Sequence, residues 1–184
     1  YSGPINSANL SSQNVDLPFD KWPENIRLEL ENIDDLTVLR PALVTSINFD
    51  NSVNIIFKSG ERSLIPWQFI KWAKKYRKQG YSPPPKNASD VLSHGDMVYV
   101  MPTTTGGYAL AEIPLANGGA VTIDSYDGAI IALSGGFDYS INKVNHVLNK
   151  GRQPGSSFKP LIYSAALDHG ANASTILLDA PVVM

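Results

Sequence analysis

The stretch PALVTSINFDNSVNIIFKSGERSLIPW, residues 41–67, decides the fold. PALVTSINFD, NSVNIIFKSG and ERSLIPW are short runs rich in β-branched residues, separated by Asp50-Asn51 and Ser59-Gly60. Alternating apolar runs of this length with such turn residues between them predict an antiparallel meander. Downstream, PWQFIKWAKKYRKQG (66–80) places Phe69, Trp72, Ala73 and Tyr76 at i, i+3, i+4 and i+7 before Gly80, the spacing of a helix. SPPPKN (82–87) forbids regular structure, and HGDMVYVMP (94–102) and GYALAEIP (107–114) supply two more strands. Several short strands around one helix predict a small β-barrel of the OB type. Upstream, residues 1–30 carry Pro4, Pro18 and Pro23 and little periodicity, the texture of an extended interdomain linker, either free or packed on its neighbours, with ENIRLEL (24–30) entering a first strand. The barrel domain is then expected over 31–116.

A second unit, 117–184, begins with AVTIDSYDGAIIALSGG (120–136): strand, Ser-Tyr-Asp-Gly turn, strand. FDYSINKVNHVLNKGRQPG (137–155) is polar and loop-like, and SSFKPLIYSAALDHG (156–170) has helical length, helix formers and a glycine stop.

Composition narrows the chemistry. The chain has 184 residues, 43% of them apolar, and a formal charge of -2, so no global field draws it to nucleic acid or an anionic membrane. With no cysteine, thiolate nucleophiles, disulfides and cysteine-ligated metals are excluded. His94, His146 and His169 form no ligand-spaced pair, so neither a metal site nor a cofactor is expected. No apolar run reaches the length of a bilayer span, and a first residue other than Met suggests an excised piece of a longer protein.

Two Ser-x-x-Lys patterns remain, Ser140/Lys143 and Ser156/Lys159. A serine needs a base beside it to attack an acyl group, and a lysine three residues further along a helix lies on the same face. The amine must be neutral part of the time, and N–H groups at a helix start favour a developing oxyanion. Pro154-Gly155 turns the chain before Ser156, and Pro160 removes an N–H that would have bonded the carbonyl of residue 156, loosening the first turn. Ser140/Lys143 sits among Asn142 and Asn145 with no such turn and reads as a decoy. Spacing alone leaves Ser156/Lys159 open between a catalytic pair and an ordinary helix N-cap with a solvated lysine; 18 serines and 10 lysines yield about one such pattern by chance.

The wider context resembles one family. DGAIIALSGGFDYS, RQPGSSFKP, IYSAAL and DAPVV follow one another as in class A, bifunctional penicillin-binding proteins of type 1a. ERSLIPWQFIKWAKKY, PPPKNASDVLSHGDMVYV and LAEIP are similar to the OB-like domain of Gram-negative members, and YSGPI (1–5) to the linker signature that follows their glycosyltransferase domain. The resemblance implies a mainly β fold with α. An OB-like barrel would precede the first β-hairpin and nucleophile helix of a serine D,D-transpeptidase domain, of the penicillin-binding/β-lactamase-like α/β class. Residues 120–134 would supply two strands of its five-stranded sheet. It implies that Ser156 is acylated by peptidoglycan stem peptides and by β-lactams, with Lys159 activating it. Glycan strands derived from lipid II, and an outer-membrane lipoprotein activator reaching the OB-like domain, would be partners. The place implied is the periplasmic face of the inner membrane. A serine β-lactamase, the nearest chemical alternative, lacks the OB-like stretch and the linker signature. The family's Ser-x-Asn and Lys-Thr/Ser-Gly motifs should follow the nucleophile. Here Ser-x-Asn occurs only before it, as at Ser7, Ser52 and Ser140, and Lys-Thr/Ser-Gly is absent, so this chain alone is expected to be inactive.

On the helix expected at 66–80, Lys71, Lys74, Lys75 and Lys78 line one face, with Arg77 beside them. A solvated face is the ordinary reading. The rival reading is a docking module whose basic surface contacts glycan, lipid head groups or an acidic protein, with nucleic acid disfavoured by the net charge.

Overall fold

Both sides of the meander strands need cover, which is why their apolar runs are nearly continuous. In the computed structural model, which describes residues 1–9, 17–77, 80–149 and 153–177, strands alternate between two cores. A short β1 (Asn6–Ser7) precedes helix α1 (Glu24–Glu31), and the barrel strands are β2 (Arg40–Ile47), β3 (Val53–Phe57), β4 (Arg62–Ile65), β7 (Asp96–Pro102) and β8 (Tyr108–Ala111). Ala42, Val44, Val53, Ile55, Phe57, Ile65, Val98, Val100 and Leu110 point into one cluster. Their neighbours Leu43, Ile56 and Met97 face outward and are covered by Trp22, Ile26 and Leu30.

The hydrogen-bonded order is β4-β3-β2-β7 with β8 on β7, and β8 returns against β4. In chain order that is the closed 1-2-3-5-4 circuit of an OB barrel. Closure requires curvature, and the β2–β3 register slips between Val44 and Ser46, the bulge bending the sheet there. Asn51 adopts φ +65° in the β2–β3 turn, a left-handed conformation that asparagine tolerates, so the turn expected at Asp50-Asn51 forms there.

Two expectations fail, both by tertiary override. ENIRLEL is helix α1, not a strand. Its apolar residues Ile26, Leu28 and Leu30 fit a period of two, but only Ile26 and Leu30, one helical turn apart, are buried. Pro23, with its fixed φ, starts the helix. The described part of residues 1–30 packs on the barrel: α1 roofs it, and Asn6 and Ser7 pair with Met97 and Asp96.

The helix expected at 66–80 is absent. A 3₁₀ turn, Trp67–Phe69, continues as hydrogen-bonded turn through residue 72, with Lys71 N donating to Trp67 O (3.1 Å) and Ala73 N to Ile70 O (2.9 Å). Irregular chain then leads to β5 (Tyr76–Arg77), which pairs with β6 (Gly80–Tyr81). Residue 1 competes for the same backbone: Tyr1 N donates to Lys74 O (2.9 Å), and Tyr76 N donates to Tyr1 O (3.1 Å). Inter-strand bonds replace the helical ladder, and of the anticipated stripe Ala73 alone is fully buried.

Past the barrel, β9 (Ala120–Ile123) and β10 (Ile130–Ser134) form the expected hairpin, with Gly128 at φ +78° in its turn. A 3₁₀ turn, Gly155–Phe158, then runs straight into helix α2 (Lys159–Asp168).

Candidate active site

Pro160 shapes the start of the Ser156-x-x-Lys159 segment. Having no N–H, it cannot bond the carbonyl four residues back, so Ser156 O instead accepts the N–H of Lys159, three residues on. Ser157 N–H bonds Pro154 O at 3.1 Å in the same way. The first turn is thus tightened into a 3₁₀ turn, a correction to the loosening expected from sequence. Ser156 lies within that turn, and Lys159 opens the α-helix proper. With three residues per turn, positions i and i+3 eclipse, whereas an α-helix offsets them. Gly155 enters at φ +55°, a conformation that costs glycine nothing. Ser156, Lys159 and every residue of α2 are exposed.

Ser140, the other candidate serine, is committed elsewhere. Its hydroxyl and its N–H both donate to Asp138 Oδ1, at 2.5 and 2.9 Å. Asp138 Oδ2 accepts the N–H of Thr37 across the domain boundary at 2.6 Å. The Ser140 hydroxyl first, then the Thr37 N–H, hold the Asp138 carboxyl well below the usual carboxylate range. Next to it, Phe137 packs on Leu36, Leu39, Tyr99 and Ala111, on the outer face of β7 and β8. Asn117 Oδ1 accepts the N–H of Phe137 at 3.1 Å, and Gly135 O accepts that of His146 at 2.8 Å. Residues 135–146 are therefore a built joint between barrel and hairpin. Sequence reading passed over it as polar loop, although Asp-x-Ser at 138–140 is an Asx-turn signature.

The basic residues do not share a helix face, because there is no helix. Lys71, Lys74 and Lys75 are exposed on irregular and extended chain, and Lys78 lies outside the described residues. What the stripe hid is aromatic: Trp72, Tyr76 and Tyr81 stand exposed among these lysines. Among the described residues no cluster of His, Asp or Glu could hold a metal, and no helix is long and apolar enough to cross a membrane.

Known proteins match the chain along nearly its whole length. The family model of the penicillin-binding protein OB-like domain matches residues 1–116, and that of the penicillin-binding protein transpeptidase domain matches 118–181. Penicillin-binding protein 1A of Pseudomonas aeruginosa is 36% identical over 146 residues, covering 79% of this chain and 18% of that protein. Its counterpart in Neisseria meningitidis is 31% identical over 183 residues, covering 99% of this chain and 21% of that protein. The crystal structure of penicillin-binding protein 1A from Haemophilus influenzae superposes with a TM-score of 0.66 at 28% identity, covering 98% of this chain and 24% of that one. The chain spans about a fifth of the length of the curated relatives it matches. With an OB circuit closed over its own core and a Ser-x-x-Lys turn beyond it, the chain belongs to the penicillin-binding proteins of type 1A, running from the OB-like domain into the transpeptidase domain.

Proposed function

We propose that this chain is part of a bifunctional cell-wall synthase at the periplasmic face of the inner membrane, and that Ser156 is its transpeptidase nucleophile. The feature that supports the reading is the 3₁₀ turn Gly155–Phe158, which sets Ser156 and Lys159 three residues apart at the mouth of α2, the backbone N–H of Lys159 bonded to Ser156 O. In this reading Lys159 takes the proton as Ser156 Oγ bonds to the penultimate D-Ala carbonyl of a stem peptide. The C–N bond to the terminal D-Ala breaks, and the proton passes to that leaving amine. An amine from a neighbouring strand then attacks the acyl-enzyme, forming the cross-link and freeing Ser156. A β-lactam opens on the same hydroxyl and stays attached.

The division into linker (1–30), OB-like domain (31–116) and transpeptidase portion (117–184) belongs to this reading, with α1 counted as the linker's end. A glycosyltransferase domain in the parent and a lipoprotein activator of the OB-like domain are family expectations carried with it. The 184-residue chain has no Ser-x-Asn after Ser156 and no Lys-Thr/Ser-Gly, the motifs expected to complete the pocket, and alone is expected to be inactive.

The test is peptide mapping of the full-length protein after benzylpenicillin. The adduct is expected on the peptide containing Ser156. Ser156→Ala should abolish it, and Lys159→Ala should slow it by about 10²-fold or more, the range of a lost general base. An adduct on Ser140, or one retained in Ser156→Ala, overturns the assignment.

A further inference from the structure

Residues 66–89, inserted between β4 and β7, hold six of the 15 basic residues and none of the 17 acidic ones, leaving the rest of the chain with a formal charge of -8. Tyr76 and Tyr81 face each other in the β5–β6 register and meet edge to face at 5.8 Å. Trp72 stands beside them; its indole N–H is taken by Phe69 O at 3.1 Å, and its ring meets Tyr1 edge-on at 6.2 Å. The three rings are 46%, 64% and 71% exposed for Trp72, Tyr76 and Tyr81. With Glu112, Pro114 and Leu115 they wall a groove of about 530 Å³. Lys71, Lys74 and Lys75 are exposed on the same insertion.

Single exposed aromatics are ordinary, but three along one groove mark a binding face. The chemistry of the walls selects the occupant. Ring faces stack on flat C–H surfaces, and the lysines exposed on the same insertion attract carboxylates. The Glu112 carboxylate is already engaged by the N–H and hydroxyl of Ser2 and lies 3.6 Å from the Tyr1 amine. A nucleic-acid strand is disfavoured by the formal charge of -8 on the rest of the chain, and a lipid surface is too flat to enter a groove. A sugar polymer whose substituents carry carboxylates satisfies both the rings and the lysines. We propose that this groove binds glycan strands bearing peptide carboxylates, the sugars stacking on Trp72, Tyr76 and Tyr81, and the substituents reaching Lys74 and Lys75. The choice of polymer rests on the cell-wall reading above; the groove's affinity for sugar does not. Such a site would hold a strand on the OB-like domain while the acyl-transfer site works on its peptides.

Fluorescein-labelled, uncross-linked peptidoglycan strands and chitohexaose are titrated against the full-length protein by anisotropy. The paired change Trp72→Ala, Tyr81→Ala is expected to weaken both ligands at least tenfold. Lys74→Glu, Lys75→Glu should weaken only the carboxylate-bearing strands. Both variants should still take up penicillin at the unaltered rate, which also shows that they fold. Unchanged affinity in the aromatic variant overturns the proposal. So does an indole at Trp72 that acrylamide cannot reach in the sugar-free full-length protein, since the groove would then be filled by the protein itself. So does a protein partner lost in the aromatic variant while neither sugar binds the unaltered protein. Loss of acylation in Ser156→Ala with sugar binding intact bears only on the transpeptidase assignment.

Discussion

The barrel and the segment after it put the same kinds of residue to different ends. In β2 and β3, Leu43 and Ile56 lie under α1 while their neighbours Val44 and Ile55 fill the barrel interior, so both strand faces are covered. In β9 and β10, Val121, Ile123, Ile130 and Ile131 are all exposed. On α2, Leu161, Ile162 and Leu167 are exposed too. A two-stranded hairpin and a helix of 10 residues are marginal in water without a packing partner. The OB-like unit contains what it needs to fold. The unit that carries Ser156 and Lys159 presents apolar faces that the described residues do not cover.

That contrast can be broken most sharply with one substitution made twice. Leu43→Ala empties a fully buried site and should cost the isolated chain about 2–5 kcal/mol in urea unfolding. Leu161→Ala, at a residue 62% exposed, should change it by less than about 0.5 kcal/mol. Equal costs would mean that α2 is packed in this chain. In the full-length protein the second cost should rise, as the helix gains the sheet it lies on in our reading.

Next in size is the turn itself. Pro160→Ala restores an N–H able to reach Ser156 O from four residues on, converting the 3₁₀ turn to α and offsetting Ser156 from Lys159. The full-length variant should be acylated by penicillin about 10- to 100-fold more slowly, the scale of a small misplacement of reacting groups. Its helix should be no less stable. An unaltered rate would show that eclipsing is not what aligns the pair.

How much of this was legible differs between the same two regions. The barrel strands and their turns could be read because alternation and turn residues are local signals, and every strand the reading placed in 41–67 and 94–114 forms. The two misreadings share one cause, contacts remote in sequence. Leu28 looks like part of a strand until its exposure shows that only Ile26 and Leu30 pack. The spacing of Phe69, Trp72, Ala73 and Tyr76 suits a helix until Tyr1 claims the backbone of residues 74–76. At the candidate site, the hairpin and the helix after Pro154-Gly155 were readable from their punctuation. The rewinding of the first turn was not, although the missing N–H of Pro160 pointed at the right carbonyl. The Asp138 joint escaped because its partner Thr37 lies 101 positions away.

That joint gives a smaller effect with a defined pH dependence. The folded state holds Asp138 ionised, so the joint is complete above the ordinary carboxylate pKa, about 3.9, and fades as the pH falls below it. Amide exchange at Thr37 should accelerate below about pH 4 relative to the barrel strands. Asp138→Ala should show that fast exchange, corrected for intrinsic rate, at neutral pH with the barrel's unfolding midpoint almost unmoved. A large drop in that midpoint would make the joint part of the barrel core. Smallest of all, the buried Tyr1 hydroxyl has no hydrogen-bond partner among the described residues. Tyr1→Phe should leave stability unchanged or slightly raised, because no bond is lost and an unsatisfied group is removed.

The central claim is that acyl transfer needs Ser156 and Lys159 together with walls that this chain does not provide. Parallel labelling of the 184-residue chain and the full-length protein with fluorescent penicillin, followed by mapping of the labelled peptide, tests it most directly. The account predicts one saturable adduct on Ser156 in the full-length protein and none above background in the chain alone. Labelling of the chain alone at the full-length rate, or of the full-length protein at any other residue, would contradict it.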